Sequence, residues 1–292
     1  MKFSLAAKFN LVFLVIFVVG FAAAWAVANV LLKQNAREET LRNARILMES
    51  ALAARGYTSK QIVPLLKTQL DEKFLPQSIP SYSATEHLSS LLKNYPDFTY
   101  KEATLNPTNP RDRAVEWEAD VVNTLRSSPA TQEYVGERLT ATGPSLYIAY
   151  PLRITDTDCL RCHSVPAAAP KTMLDIYGST GGFGWKHNEI VGAQMVSVPM
   201  TVPLARANGM LRTFLLSMLG VFVFLFVSLN VMVDRFVTRR ITRMSALADE
   251  ISMGKFDVAE FDASGSDELA TLAQSFKRMR TSLNSAMKML DD

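Results

Sequence analysis

Two long uncharged runs constrain this chain more than any other feature. From Leu11 to Leu32 no charged residue occurs across 22 positions, and from Thr213 to Val233 none across 21. At 1.5 Å rise per residue, either run crosses a hydrocarbon core of about 30 Å as a helix. The expected organisation follows from them: a cytoplasmic N-terminus over 1–10, a first span over 11–32, an outer domain over 33–212, a second span over 213–233 and a cytoplasmic segment over 234–292. The first run also permits a signal-peptide reading, because Lys2 and Lys8 precede it and Ala26-Val27-Ala28 offers small residues for cleavage. Its apolar core exceeds the usual h-region of about 7–15 residues, and Trp25 sits where an interfacial anchor belongs, so the helix is expected to be retained.

Basic residues that resist translocation set the orientation. Lys2 and Lys8 precede the first run, and Arg235, Arg239, Arg240 and Arg243 follow the second, whereas Lys33 and Arg37 are offset by Glu38 and Glu39. Both termini are therefore expected in the cytoplasm. The net charge of +3 averages over two compartments and gives no reason to expect a nucleic-acid partner.

Both cysteines of the chain, Cys159 and Cys162, fall in the translocated part. With His163 they form the C-x-x-C-H pattern of c-type haem attachment, in which two thiols reach the two vinyl groups of one porphyrin and the adjacent imidazole is the proximal iron ligand. One covalent haem per chain is the expectation. A zinc site would need a fourth ligand, and the other histidines, His87 and His187, are isolated from any second cysteine cluster. A thioredoxin-like dithiol would open a helix in a βαβ setting, but Ser164, Val165 and Pro166 follow. A simple disulfide is the remaining alternative. For a sixth iron ligand the candidates are Met48, Met173, Met195, Met200, His87 and His187, against the alternative that each methionine merely packs a core.

Apolar residues Leu41, Ala44, Leu47 or Met48, Ala51 and Leu52 recur at helical spacing between Gln34 and Gly56, so the first membrane helix is expected to run on into the outer domain. Further helices are expected at 84–92 and 113–126, and strands at 98–104, 145–154 and 190–198, with the cysteine motif in a loop. The turn-forming Asn106-Pro107-Thr108-Asn109-Pro110 ends the first strand. From Tyr177 through Gly178, Gly181, Gly182, Phe183 and Gly184 to Trp185 the chain reads equally as a close backbone wrap or a flexible surface loop. This order of elements fits an α+β, PAS-like domain with an antiparallel sheet.

The motif at Cys159–His163, the preceding Gly143-Pro144-Ser145-Leu146-Tyr147, the Asn106–Arg111 turn and Gly192-Ala193-Gln194 together resemble the single-haem, c-type, PAS-like sensor domain of bacterial and cyanobacterial membrane receptors. The resemblance covers roughly residues 40 to 205. It implies a PAS-like fold around one haem, a bacterial inner membrane, and sensing of redox state or a diatomic gas. In that family a cysteine on the first long helix serves as distal ligand; here Met48 occupies about that place and is the expected substitute.

After Arg240, the residues Ile241, Met244, Leu247, Ala248 and Ile251 follow a heptad-like spacing up to Gly254. A second amphipathic helix opens at Asp267-Glu268-Leu269 and places Leu272, Phe276, Met279, Leu283, Met287 and Leu290 on one face. Two such helices cannot bury their stripes alone, so a homodimeric four-helix bundle is expected, similar to the HAMP relay module. A coiled coil without switching is the plainer alternative. The chain ends at Asp292, so the relay is expected to act on a separate cytoplasmic protein or to belong to a truncated receptor. No nucleophile with a base, phosphate loop or paired carboxylates stands out, which argues against an enzyme. The competing functions are a membrane-anchored monohaem electron carrier and a haem-free chemoreceptor.

Overall fold

The computed structural model describes residues 5–291, so Lys2 lies outside the described residues, as does the side chain of Leu290. The chain divides into two compact units, Asn29–Met210 and Met1–Ala28 with Leu211–Asp292.

Helix α1 (Leu5–Tyr57) contributes to both units and passes through a π-helical turn, Thr58–Ile62, to the short α2 (Val63–Leu65) and α3 (Lys67–Glu72). Then come α4 (Pro80–Leu91), β1 (Thr99–Thr104), α5 (Glu116–Ser127), β2 (Tyr134–Thr140), β3 (Gly143–Arg153), α6 (Cys159–His163), α7 (Lys171–Tyr177), β4 (Ile190–Pro199) and α8 (Thr201–Val233). The four strands form one antiparallel sheet in the order β1-β4-β3-β2. Strand alternation sends successive side chains to opposite faces, and each face carries its own core. On one face Leu146, Ile148, Val196 and Val198 pack against Ala44 and Met48 of α1. Ala103, Tyr147, Ala149, Ala193 and Met195 pack on the other against Val121, Val122 and Leu125 of α5. Helix α1 meets the sheet through a buried stripe, Ala36, Thr40, Ala44, Met48 and Ala51, spaced by three and four. Its alanines let the helix lie close to the strands.

The antiparallel α+β architecture matches the expectation. Some local readings do not. Strand β2 is absent from the expected elements, because Gly136, Glu137 and Arg138 interrupt its apolar alternation. The cysteine motif lies in the helical turn α6 instead of a loop.

In the other unit, α8 and the first part of α1 are both long and apolar enough to cross a membrane. Phe17 stacks on Phe222 with centroids 4.8 Å apart. Beyond a π-helical turn, Asp234–Thr238, lie α9 (Arg239–Ser252) and α10 (Glu268–Asp291). Gly254 closes α9 at φ 84°, a conformation that favours glycine. Asp267 caps α10, its Oδ1 accepting from the Ala270 amide at 2.8 Å. Met244, Ile251, Phe261 and Ala273 form the core between the two helices, and Phe261 stacks on Phe276. Leu272, Met279, Leu283 and Met287 stay exposed.

Candidate functional site

The Ile154 amide donates to Glu189 O at 2.9 Å, so the chain leaves β3 beside the start of β4. Asp156 Oδ1 then accepts from the Asp158 amide at 2.9 Å, an Asx turn that starts α6. Cys159 and Cys162 come one helical turn apart on the same face. Both are half-buried and unjoined. Burial pushes both thiols up; the Arg55 guanidinium opposes this at Cys159 and Arg161 opposes it at Cys162. Among the described residues, no group of three or more His, Cys, Asp or Glu side chains is placed to hold a metal ion.

His163 ends the turn with its Nδ1 2.7 Å from Gly182 O. A carbonyl only accepts, so Nδ1 carries the proton and Nε2 keeps its lone pair. Thr108 Oγ1 stands 3.3 Å from the same Nδ1, and the Trp185 ring stacks on the imidazole at 4.0 Å and 14°. Burial lowers the imidazole pKa against the pull of the Gly182 carbonyl, so the ring is neutral at pH 7.

Gly178 to Trp185 is a close wrap. The Gly184 amide donates to Ser164 O at 2.9 Å and the Trp185 amide to His163 O at 3.2 Å. Asn106 clamps the same stretch, donating through Nδ2 to Phe183 O and accepting from the Gly182 amide. Gly182 has φ 81°, and a Cβ there would collide with Thr108. The expected turn at Asn106–Pro110 thus presses on the glycine strap behind His163.

Cys159, Cys162 and His163 come together in one turn. Met48 is fully buried in the cluster between α1 and the sheet, to which neither cysteine nor His163 belongs. Met200 shares that cluster, and Met195 lies on the opposite face of the sheet. Met173 is buried on α7, His187 is exposed, and His87 approaches Ser50 Oγ at 3.3 Å.

One group escaped the sequence reading. Arg55 Nη1 contacts both carboxylate oxygens of Glu102 at 2.6 Å, and the Tyr100 hydroxyl donates to Glu102 Oε1 at 2.7 Å. Burial, then the neighbouring Glu102, raises the Tyr100 pKa, keeping it a phenol. The available signal was a cation four residues beyond Ala51 on a buried stripe, where a charge needs a partner.

The sequence model of the Tll0287-like family matches residues 33–199, and that of the HAMP domain matches residues 233–285. None of the curated proteins matches the chain. Among solved structures, the cyanobacterial heme-protein Tll0287 aligns at 14% identity and a TM-score of 0.43, covering 55% of this chain and 95% of that one.

Proposed function

Since the chain belongs to the Tll0287-like family, we propose that its outer domain carries one c-type haem and reports redox state or a diatomic gas across a bacterial inner membrane. At the coarser level it is a membrane-bound signal-transduction protein with a sensor domain ahead of a HAMP relay.

The residues present fit the group. Two half-buried thiols share one face of a helical turn, as thioether bonds to two vinyl groups require. His163 supports this reading most directly: with Nδ1–H committed to Gly182 O, its Nε2 is free to bind iron as the proximal ligand. Trp185 and Thr108 hold the ring in that orientation. When bound, the haem supplies a one-electron iron couple and an axial position for a ligand. Met48, buried in the core between α1 and the sheet, is the proposed sixth ligand. Helix α1 would then receive the change directly. The exposed stripe Leu272, Met279, Leu283 and Met287 is proposed to pack against a second copy, and the bundle to act on a cytoplasmic partner.

The test is expression of the full chain in a host that attaches haem c, followed by mass spectrometry and a visible spectrum of wild type and Cys159→Ser/Cys162→Ser. A covalent haem mass and Soret band in wild type, with covalent attachment lost in the double variant, are expected. The bare peptide mass in wild type would overturn the reading.

A further inference from the structure

Thr40, Thr58, Thr85, Thr124 and Thr242 lie in helices, and each donates its hydroxyl to the carbonyl four residues earlier, at 2.8–2.9 Å. Thr238 does not. It closes the π-helical turn Asp234–Thr238, where the Asp234 carbonyl, four residues earlier, accepts from the Arg239 amide. The Thr238 Oγ1 is buried and has no hydrogen-bond partner among the described residues. A hydroxyl withheld from water costs free energy unless something bonds it.

This residue lines a cavity of about 360 Å³ between the first part of α1 and the end of α8. Phe9, Phe13, Leu229 and Val233 give it apolar walls, and Asn10 and Asp234 join Thr238 in giving it polar ones. At Asp234 the Oδ2 accepts from Arg239 Nε at 2.7 Å, with the arginine side chain 73% exposed. The cavity lies where the uncharged runs end, since Asn10 immediately precedes Leu11 and Asp234 immediately follows Val233. That is the level at which a span meets lipid headgroups. Lys8 and Arg235 are the next charges along the chain. Water would satisfy the hydroxyl but gains nothing from the apolar walls. An amphiphile uses both, and basic pockets between membrane helices suit anionic headgroups.

We propose that this cavity binds the headgroup of an anionic phospholipid bearing free hydroxyls, as in phosphatidylglycerol, with its phosphate toward Arg239 and its hydroxyls on Asn10, Asp234 and Thr238. The acyl chains follow Phe9 and Phe13 along the spans, whose apolar surfaces are otherwise unburied. A headgroup held there bridges α1 to the π-helical turn that joins α8 to α9, and turns of this kind recur at functional sites. Bilayer composition thereby becomes an input to the relay that is independent of the haem.

The test is native mass spectrometry of the full-length protein released from nanodiscs of phosphatidylglycerol and phosphatidylcholine in equal parts. One phosphatidylglycerol per chain should be retained, preferred over phosphatidylcholine by about fivefold, the effect of one cation at a membrane surface. Thr238→Val and Asn10→Leu, which keep the shape and remove hydrogen bonds, should each weaken retention by about fivefold. Thr238→Ser keeps the hydroxyl and should keep the lipid, which guards against damage to the turn. Arg243→Gln, outside the cavity lining, should leave retention in place. Equal retention of both lipids, or wild-type retention in both Thr238→Val and Asn10→Leu, reduces the effect to general attraction by the basic flank and overturns the proposal. Displacement by free glycerol phosphate, which lacks acyl chains, also overturns it. So does a lipid kept by the monomer but absent from the dimer, since a second copy then fills the cavity.

Discussion

Substituting alanine at Gly182 and at Gly184 separates the two reasons a glycine is needed in the strap behind His163. Their backbones are nearly alike, with φ of 81° and 80°. Each alanine therefore pays the left-handed penalty of about 1–2 kcal/mol. They differ in space: a Cβ on Gly184 meets nothing within 4 Å, whereas one on Gly182 collides with Thr108, whose Cα lies 2.8 Å from it. Backbone cannot rotate away, so the Asn106–Thr108 turn must shift, and overpacking of this kind costs about 1–3 kcal/mol more. Gly182→Ala should thus lose about 2–5 kcal/mol and Gly184→Ala about 1–2 kcal/mol. For a domain of this size each kcal/mol lowers the melting temperature by about 2–4 °C, so Gly182→Ala should melt some 4–20 °C below wild type and Gly184→Ala about 2–8 °C below. Tryptophan fluorescence during thermal unfolding of the full chain reads this, since Trp185 stacks on His163. Thr108→Ala in the Gly182→Ala background should recover only part of the loss, because the Thr108 backbone remains in the way. Equal melting temperatures for the two glycine variants would refute the steric argument.

Met48→Ala should destabilise the apoprotein by about 2–5 kcal/mol through the cavity it leaves, while Met48→Leu should cost under about 1.5 kcal/mol. Resonance Raman spectra of haem-loaded Met48→Leu should show loss of the sixth ligand, and unchanged spectra would remove Met48 from that role. Burial pushes the Asp112 carboxyl up to about 6, against the lowering pull of Arg111. A raised carboxyl binds more protons folded than unfolded between about pH 4 and 6, so its ionisation erodes stability as pH rises through that window. Asp112→Asn should flatten this part of the profile, measured as melting temperature from pH 4 to 7; a slope identical to wild type would contradict the assignment.

Local pattern made α1, α4, α5, β1, β3 and β4 readable, because each carries its periodicity within a few turns or alternations. Strand β2 was illegible for the opposite reason: Gly136, Glu137 and Arg138 leave little apolar rhythm, and its place comes from the ladder with β3. The cysteine motif was legible as chemistry but not as conformation, since its helical turn depends on Asp156 and Asp158, which also favour loops. What sequence could not give was the pairing of distant segments. Gly182, 19 positions after His163, supplies the carbonyl that fixes its tautomer, and Glu102 lies 47 positions from Arg55.

Three ion pairs join α1 to the sheet domain, Arg37–Glu137, Arg45–Glu133 and Arg55–Glu102, and they bear on how that helix yields to force. A slide of one helical turn, about 5.4 Å, would break all of them. The exposed pairs with Glu137 and Glu133 resist by only about 0.2–1 kcal/mol each, and water solvates their partners once they part. Separating Arg55 from Glu102 instead strands a buried carboxylate, a loss of about 3–5 kcal/mol for a pair of this kind. The Tyr100 hydroxyl alone cannot offset it. A displacement of α1 within the sensor domain should therefore release the Arg37 and Arg45 contacts before the Arg55–Glu102 pair.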